Sequence, residues 1–194
     1  MRHSRALGCV LVVWSIVMVA NGAINVGEVF LAKESFNSGD FGFGLLWAAS
    51  GLGLVLGGLA ASSLIQRDLG TAYVRFLAVF AVGIGTAAAA PSVWVGAAAM
   101  VLAGFGNGGA IVANITLVQR GAPDRVRGRA FTLLMSANYT VLGLSFVAAG
   151  PLTNEFGARW VYGFAGAIIL VAAGTALRFA RGLELDLRPA AGKA

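Results

Sequence analysis

The chain is poor in the residues from which most chemical sites are built. Its 194 residues include one cysteine, Cys9, and one histidine, His3. No disulfide can close within such a chain, and no Cys/His metal site can be assembled from it. Charge is scarce as well, at 11% of residues, where a soluble domain carries about 25%. The eight acidic residues place no two carboxylates on one helical face, and no nucleophile, base and orienting acid come together as a set. The expectation is therefore no catalytic residue, no metal ligand and no cofactor.

Apolar length is what the chain has instead. It is 58% hydrophobic with a mean hydropathy of +0.83, which marks an integral membrane protein. A net charge of +6 and a pI near 10.5 could indicate nucleic acid. The basic residues, however, lie in short loops between apolar runs, so the lipid bilayer is the expected partner and nucleic acid is not.

The densest charge is the run Gln119 to Arg129, which holds Arg120, Asp124, Arg125, Arg127 and Arg129 around a Gly-Ala-Pro turn. A segment this polar cannot sit in hydrocarbon, and about twenty apolar or small residues on either side are long enough to cross it. Counting outward gives six spans, about 7-30, 42-64, 72-90, 95-118, 130-150 and 160-177, in a bundle over residues 1-181 followed by a tail over 182-194. The basic start before the first span also outlines a signal peptide, but the apolar run is too long for one. With the arginine loop inside, only Lys33 and Arg159 of the fourteen Lys and Arg residues fall outside. That bias predicts cytoplasmic termini and a multi-pass protein of the inner (plasma) membrane.

Polar residues within the spans carry the functional signal, because hydrocarbon penalises them. Asn21, Asn25 and Glu28 stand at i, i+4 and i+7 of the first span and share one helical face. Asn107 and Asn114 on the fourth span are seven apart, as are Asn138 and Ser145 on the fifth. The third and sixth spans offer little beyond Thr86, Tyr162 and Thr175. The expectation is that the first, fourth and fifth spans face a hydrated cavity while the third and sixth face lipid or sit peripherally. Asn21, Asn25, Glu28, Asn107, Asn114 and Asn138 are the candidates for substrate binding or proton coupling. Two readings of Glu28 stay open: an interfacial glutamate near Lys33 or headgroups, and a cavity residue.

Small residues recur every four positions at Ala49, Gly53, Gly57 and Ala61, and at Gly96, Gly104 and Gly108 with Met100 interrupting. Such stripes let helices pack closely. Gly104 to Gly109 also fits G-x-G-x-x-G, but it lies mid-span with no strand before it and does not mark a dinucleotide site. Asp124, Arg125, Arg127 and Arg129 form either a topological anchor or a cytoplasmic gate.

Three stretches carry a family resemblance. Asn25 to Lys33 followed by Gly39 to Leu46 resembles the seventh-to-eighth helix region of bacterial exporters of the major facilitator superfamily. Gly57-Gly58-Leu59-Ala60 leading to Arg67-Asp68-Leu69-Gly70 is similar to that family's Gly-x-Leu-Ala-Asp loop motif, with Ala61 where the motif has aspartate. Pro123 to Arg129 resembles the loop between helices ten and eleven. The resemblance implies an all-α fold, the C-terminal six-helix half of a secondary transporter. Efflux of amphipathic small molecules by alternating access would follow, with a second six-helix bundle as partner, either a separate N-terminal half or a second copy. Still open are a non-transporting six-helix protein that acts as an assembly or regulatory partner, and a non-functional fragment.

Overall fold

The computed structural model describes residues 2–122, 125 and 127–187, for 2–6, 67 and 180–187 the backbone alone. Asp124 of the arginine loop and the tail from 188 on lie outside the described residues. Among those described there are six long α-helices and no strands: α1 (Arg2–Phe30), α2 (Gly39–Arg67), α3 (Leu69–Ala89), α4 (Val93–Gly121), α5 (Arg127–Phe156) and α6 (Ala158–Leu187). Each contains a stretch long and apolar enough to cross a bilayer.

The helix ends follow local chemistry. Leu31 and Ala32 are fully buried, so α1 does not stop at Phe30 but widens into a π-helical turn, Leu31–Ser35. The Phe36 N–H closes this turn on the Leu31 carbonyl at 3.0 Å, and the Ser38 hydroxyl donates to the Ala32 carbonyl at 2.8 Å. The turn from α2 into α3 is the single residue Asp68, whose carboxylate accepts from the Thr71 N–H at 3.1 Å and caps α3. Ser92 caps α4 in the same manner. Pro151 does not end α5, which continues to Phe156. The helix stops at Gly157, where φ is +82°, the left-handed conformation that glycine supplies cheaply after a helix C-terminus.

The bundle is a packed ring with two flanks. Helix α3 packs between α4 and α6, α6 also packs on α1, and α1 meets α4 to close the ring. Helix α2 lies almost wholly on α4, and α5 almost wholly on α1. Hence α2 and α5 are the least buried, with 17% of their most apolar windows inside, against 50% for α3 and 44% for α6. This corrects the expected periphery: the third and sixth helices belong to the packed ring. A lack of polar residues suits lipid, but a bundle interior is equally apolar, and buried Ala72, Ala81, Ala87, Ala165, Ala172 and Ala176 let backbones approach.

Glycine makes α4 the pivot. A Cβ at Gly104 would collide with the Ser50 carbonyl oxygen, and one at Gly108 with that of Leu54. Reciprocally, Gly53 and Gly57 of α2 have no room for a Cβ against the carbonyls of Val101 and Phe105. Gly106 has no room for a Cβ against the Phe76 and Phe80 backbone of α3, and Gly109 has none against the Phe76 ring. So α4 meets the α2 backbone on one side through Gly104 and Gly108, and α3 on the other through Gly106 and Gly109.

Candidate functional site

The i, i+4, i+7 spacing on α1 has a structural result. Asn21, Asn25 and Glu28 line one cavity of about 170 Å³ together with Asn107 of α4. Helix α2 adds Trp47 and Ser50, α3 adds Phe80 and Ile84, and α4 adds Met100, Ala103 and Gly104. Gly104 admits the α2 backbone at this level, which brings Trp47 and Ser50 to the cavity wall.

Glu28 is 4% exposed, and its Oε1 has no hydrogen-bond partner among the described residues. Lys33 does not serve it, because the Lys33 ammonium is 2.7 Å from Asp40 on the exposed turn. Of the two readings, the inward-facing one describes where Glu28 lies. Behind it, Gly27 makes room for the ring of buried Tyr162 on α6. Asn25 donates one Nδ2 hydrogen to the Asn21 carbonyl at 2.7 Å, which leaves its Oδ1 and one N–H for the cavity. Asn107 Oδ1 is buried without a partner among the described residues.

The other two asparagines lie elsewhere. Asn138 is 1% exposed, and its Oδ1 accepts from the Ser15 hydroxyl at 3.0 Å. Ser145, two turns further along α5, donates to the Val19 carbonyl at 2.6 Å. The polar pair on α5 therefore ties that helix to α1 rather than lining the cavity. Asn114 is 2% exposed, two turns from Asn107 toward the arginine loop, and is not part of the cavity wall. In that loop Arg125 and Arg129 are exposed and Arg127 is half-buried.

Trp47, Ser50, Phe80, Ile84 and Met100 are wall residues that the spacing of polar positions does not reveal. One signal does exist: Met100 is the residue that breaks the small-residue stripe of α4, and the cavity opens where the stripe is broken. A larger cavity of about 570 Å³ between α1, α5 and α6 is apolar apart from Ser145, whose hydroxyl is already bonded. It offers no group for recognition. The smaller one, with a buried carboxylate and converging amides, is the candidate site.

No curated protein matches the chain. The family model described as Major Facilitator Superfamily matches residues 6–192. With six apolar helices in a bundle and a family match over nearly its whole length, the chain belongs to the Major Facilitator Superfamily, a family of transporters.

Proposed function

We propose that these six helices are one half of a secondary transporter that moves amphipathic small molecules out of the cell by alternating access. The observation that carries this reading is the Glu28 cavity. A buried carboxylate among asparagines is costly in a membrane bundle and is found where an ion, proton or substrate passes. Asn21, Asn25 and Asn107 are only half-buried, so the cavity reaches one face of the bundle. A second bundle laid on that face would place the cavity at the interface between halves, where transporters built from repeats bind their cargo.

Glu28→Gln is the direct test in a transport-competent assembly. Ethidium, an amphipathic cation, serves as the probe in cells making the protein. The substitution keeps the size of the side chain and removes its charge, so expression should match the parent while efflux falls to background. Unchanged efflux with an unchanged pH profile would remove Glu28 from the mechanism.

In this reading both termini, the turn at Asp68 and the arginine loop are cytoplasmic. Cysteines introduced as Ser92→Cys and Arg125→Cys, each in a Cys9→Ser background, should differ toward an impermeant thiol reagent on intact cells. Loss of the Ser92 cap costs about 1 kcal/mol at most locations, too little to unfold the bundle. The Ser92 position should label and the Arg125 position should not; the opposite pattern would invert the topology.

A further inference from the structure

The cavity is small for a transported molecule. At about 170 Å³ it falls below the roughly 300–1,000 Å³ of pockets that hold drug-sized ligands. At about 30 Å³ per water it takes on the order of six water-sized groups. An amphipathic substrate must lie mainly outside it.

Its lining sets the oxygens of Glu28, Asn21, Asn25, Asn107 and Ser50 around one small space, with a single full charge, that of the carboxylate. Glu28 Oε1 and Asn107 Oδ1 are buried acceptors without partners among the described residues. One Asn25 N–H is held by the Asn21 backbone, which turns that amide and fixes its Oδ1, and the Asn21 amide and Ser50 hydroxyl add further oxygens. No Lys, Arg or His is among the lining residues. The nearby cations on neighbouring elements are engaged elsewhere. Lys33 is held by Asp40. Arg159 at the start of α6 lies 5.6 Å from the Phe36 ring centroid and donates to the Ala88 carbonyl at 3.4 Å. The Tyr162 hydroxyl, also buried, makes no hydrogen bond among the described residues, so it does not offset the charge either. A carboxylate this buried, with no ion pair or hydrogen bond to its Oε1 among the described residues, is balanced by a cation from outside.

We propose that the cavity is a sodium site, in which Na⁺ is held by Glu28, Asn107 and the side-chain oxygens of Asn25, Asn21 and Ser50. The proposal rests on the transport reading and deepens it, since it names the coupling ion. Hard cations select carboxylate, amide and hydroxyl oxygens, the ligand set present here. One carboxylate balances a monovalent ion, whereas a divalent ion would leave a net charge in a low-dielectric bundle. A proton would neutralise Glu28 but supply a single donor to several acceptors; a cation serves them together. Glu28 also lies in the half of the bundle away from the arginine loop, which is the outer half in the proposed topology, so an ion from outside reaches it over a short path.

The test is equilibrium binding of ²²Na⁺ to the whole protein in lipid nanodiscs, with choline holding ionic strength constant. Saturable binding near one ion per chain is expected, displaced by unlabelled Na⁺ and not by equal K⁺. Glu28→Gln should abolish it, and Asn107→Ala should weaken it by about tenfold, as expected on losing one contact to a charged partner. Elution of each variant as the parent on size exclusion confirms folding. Absence of saturable binding, equal displacement by K⁺, or binding that survives both substitutions would overturn the sodium site. The two readings fail differently. Sodium binding without flux would count against transport, whereas efflux abolished by Glu28→Gln without any sodium binding would leave the cavity to a proton.

Discussion

Gly104→Val should break the bundle, and Gly143→Val should not. At Gly104 any Cβ meets the Ser50 carbonyl oxygen, and the Leu54 amide lies at the edge of the same space. Both are backbone atoms of α2, so no rotamer change relieves the overlap; the two helices must separate. Overpacking of a close contact costs about 1–3 kcal/mol when side chains can shift, and here they cannot. Helix α2 has α4 as its main neighbour, so separation removes most of what holds it. Gly143 on α5 has nothing within 4 Å of its missing Cβ. The alanine pair gives opposite signs. Gly143→Ala should raise the midpoint of heat-induced aggregation in detergent, because alanine is favoured over glycine in helices by about 1 kcal/mol. Gly104→Ala should lower it. Equal behaviour at the two positions would refute the backbone contact between α2 and α4.

The stripe that faces Gly104 is legible in the sequence itself. Four-residue spacing of Ala49, Gly53, Gly57 and Ala61 predicts one narrow helix face, and that face lies on α4 through Gly53 and Gly57. Which helix it meets is not legible there, because small residues specify close approach without specifying a partner. The cavity shows the same division. Helical periodicity aligns Asn21, Asn25 and Glu28, and α1 does point all three into one space. Periodicity treats Asn138 in the same way, yet its Oδ1 is taken by Ser15. A lone asparagine on a span looks alike whether its partner is water or a neighbouring helix, since that depends on what stands opposite. Trp47 and Met100 are hidden for the converse reason: an apolar side chain beside a polar cavity carries no mark of it. Composition alone assigns the third and sixth helices to lipid, because it does not distinguish lipid from an alanine-lined interior.

The six helices alone should carry no substrate across a membrane. Alternating access needs one bundle to rock against another about a site between them, and here the half-buried Asn21, Asn25 and Asn107 lie at a face of the bundle. On its own, that face would meet lipid, where unpaired amides are unfavourable. Hydrogen bonds between helices recover only about 0.6 kcal/mol each on average, so rearrangement within the bundle does not offset the loss. Trp47, Leu52 and Leu56 on α2 and Leu133, Leu144 and Val147 on α5 are exposed, apolar surface that lipid covers as well as a neighbouring bundle does, so it is the polar face that calls for a partner. In the proposed reading the second bundle is an N-terminal half or a second copy, and a second copy would lie parallel to the first, with both pairs of termini inside. In liposomes containing protein shown by cross-linking to be monomeric, ethidium flux should not exceed that of empty vesicles. Flux should appear when the second half is co-reconstituted, or when protein density is raised until dimers form, and Glu28→Gln should abolish it in either case. Robust flux from the monomeric bundle would mean that the pathway runs within these six helices, and the need for a partner would be wrong.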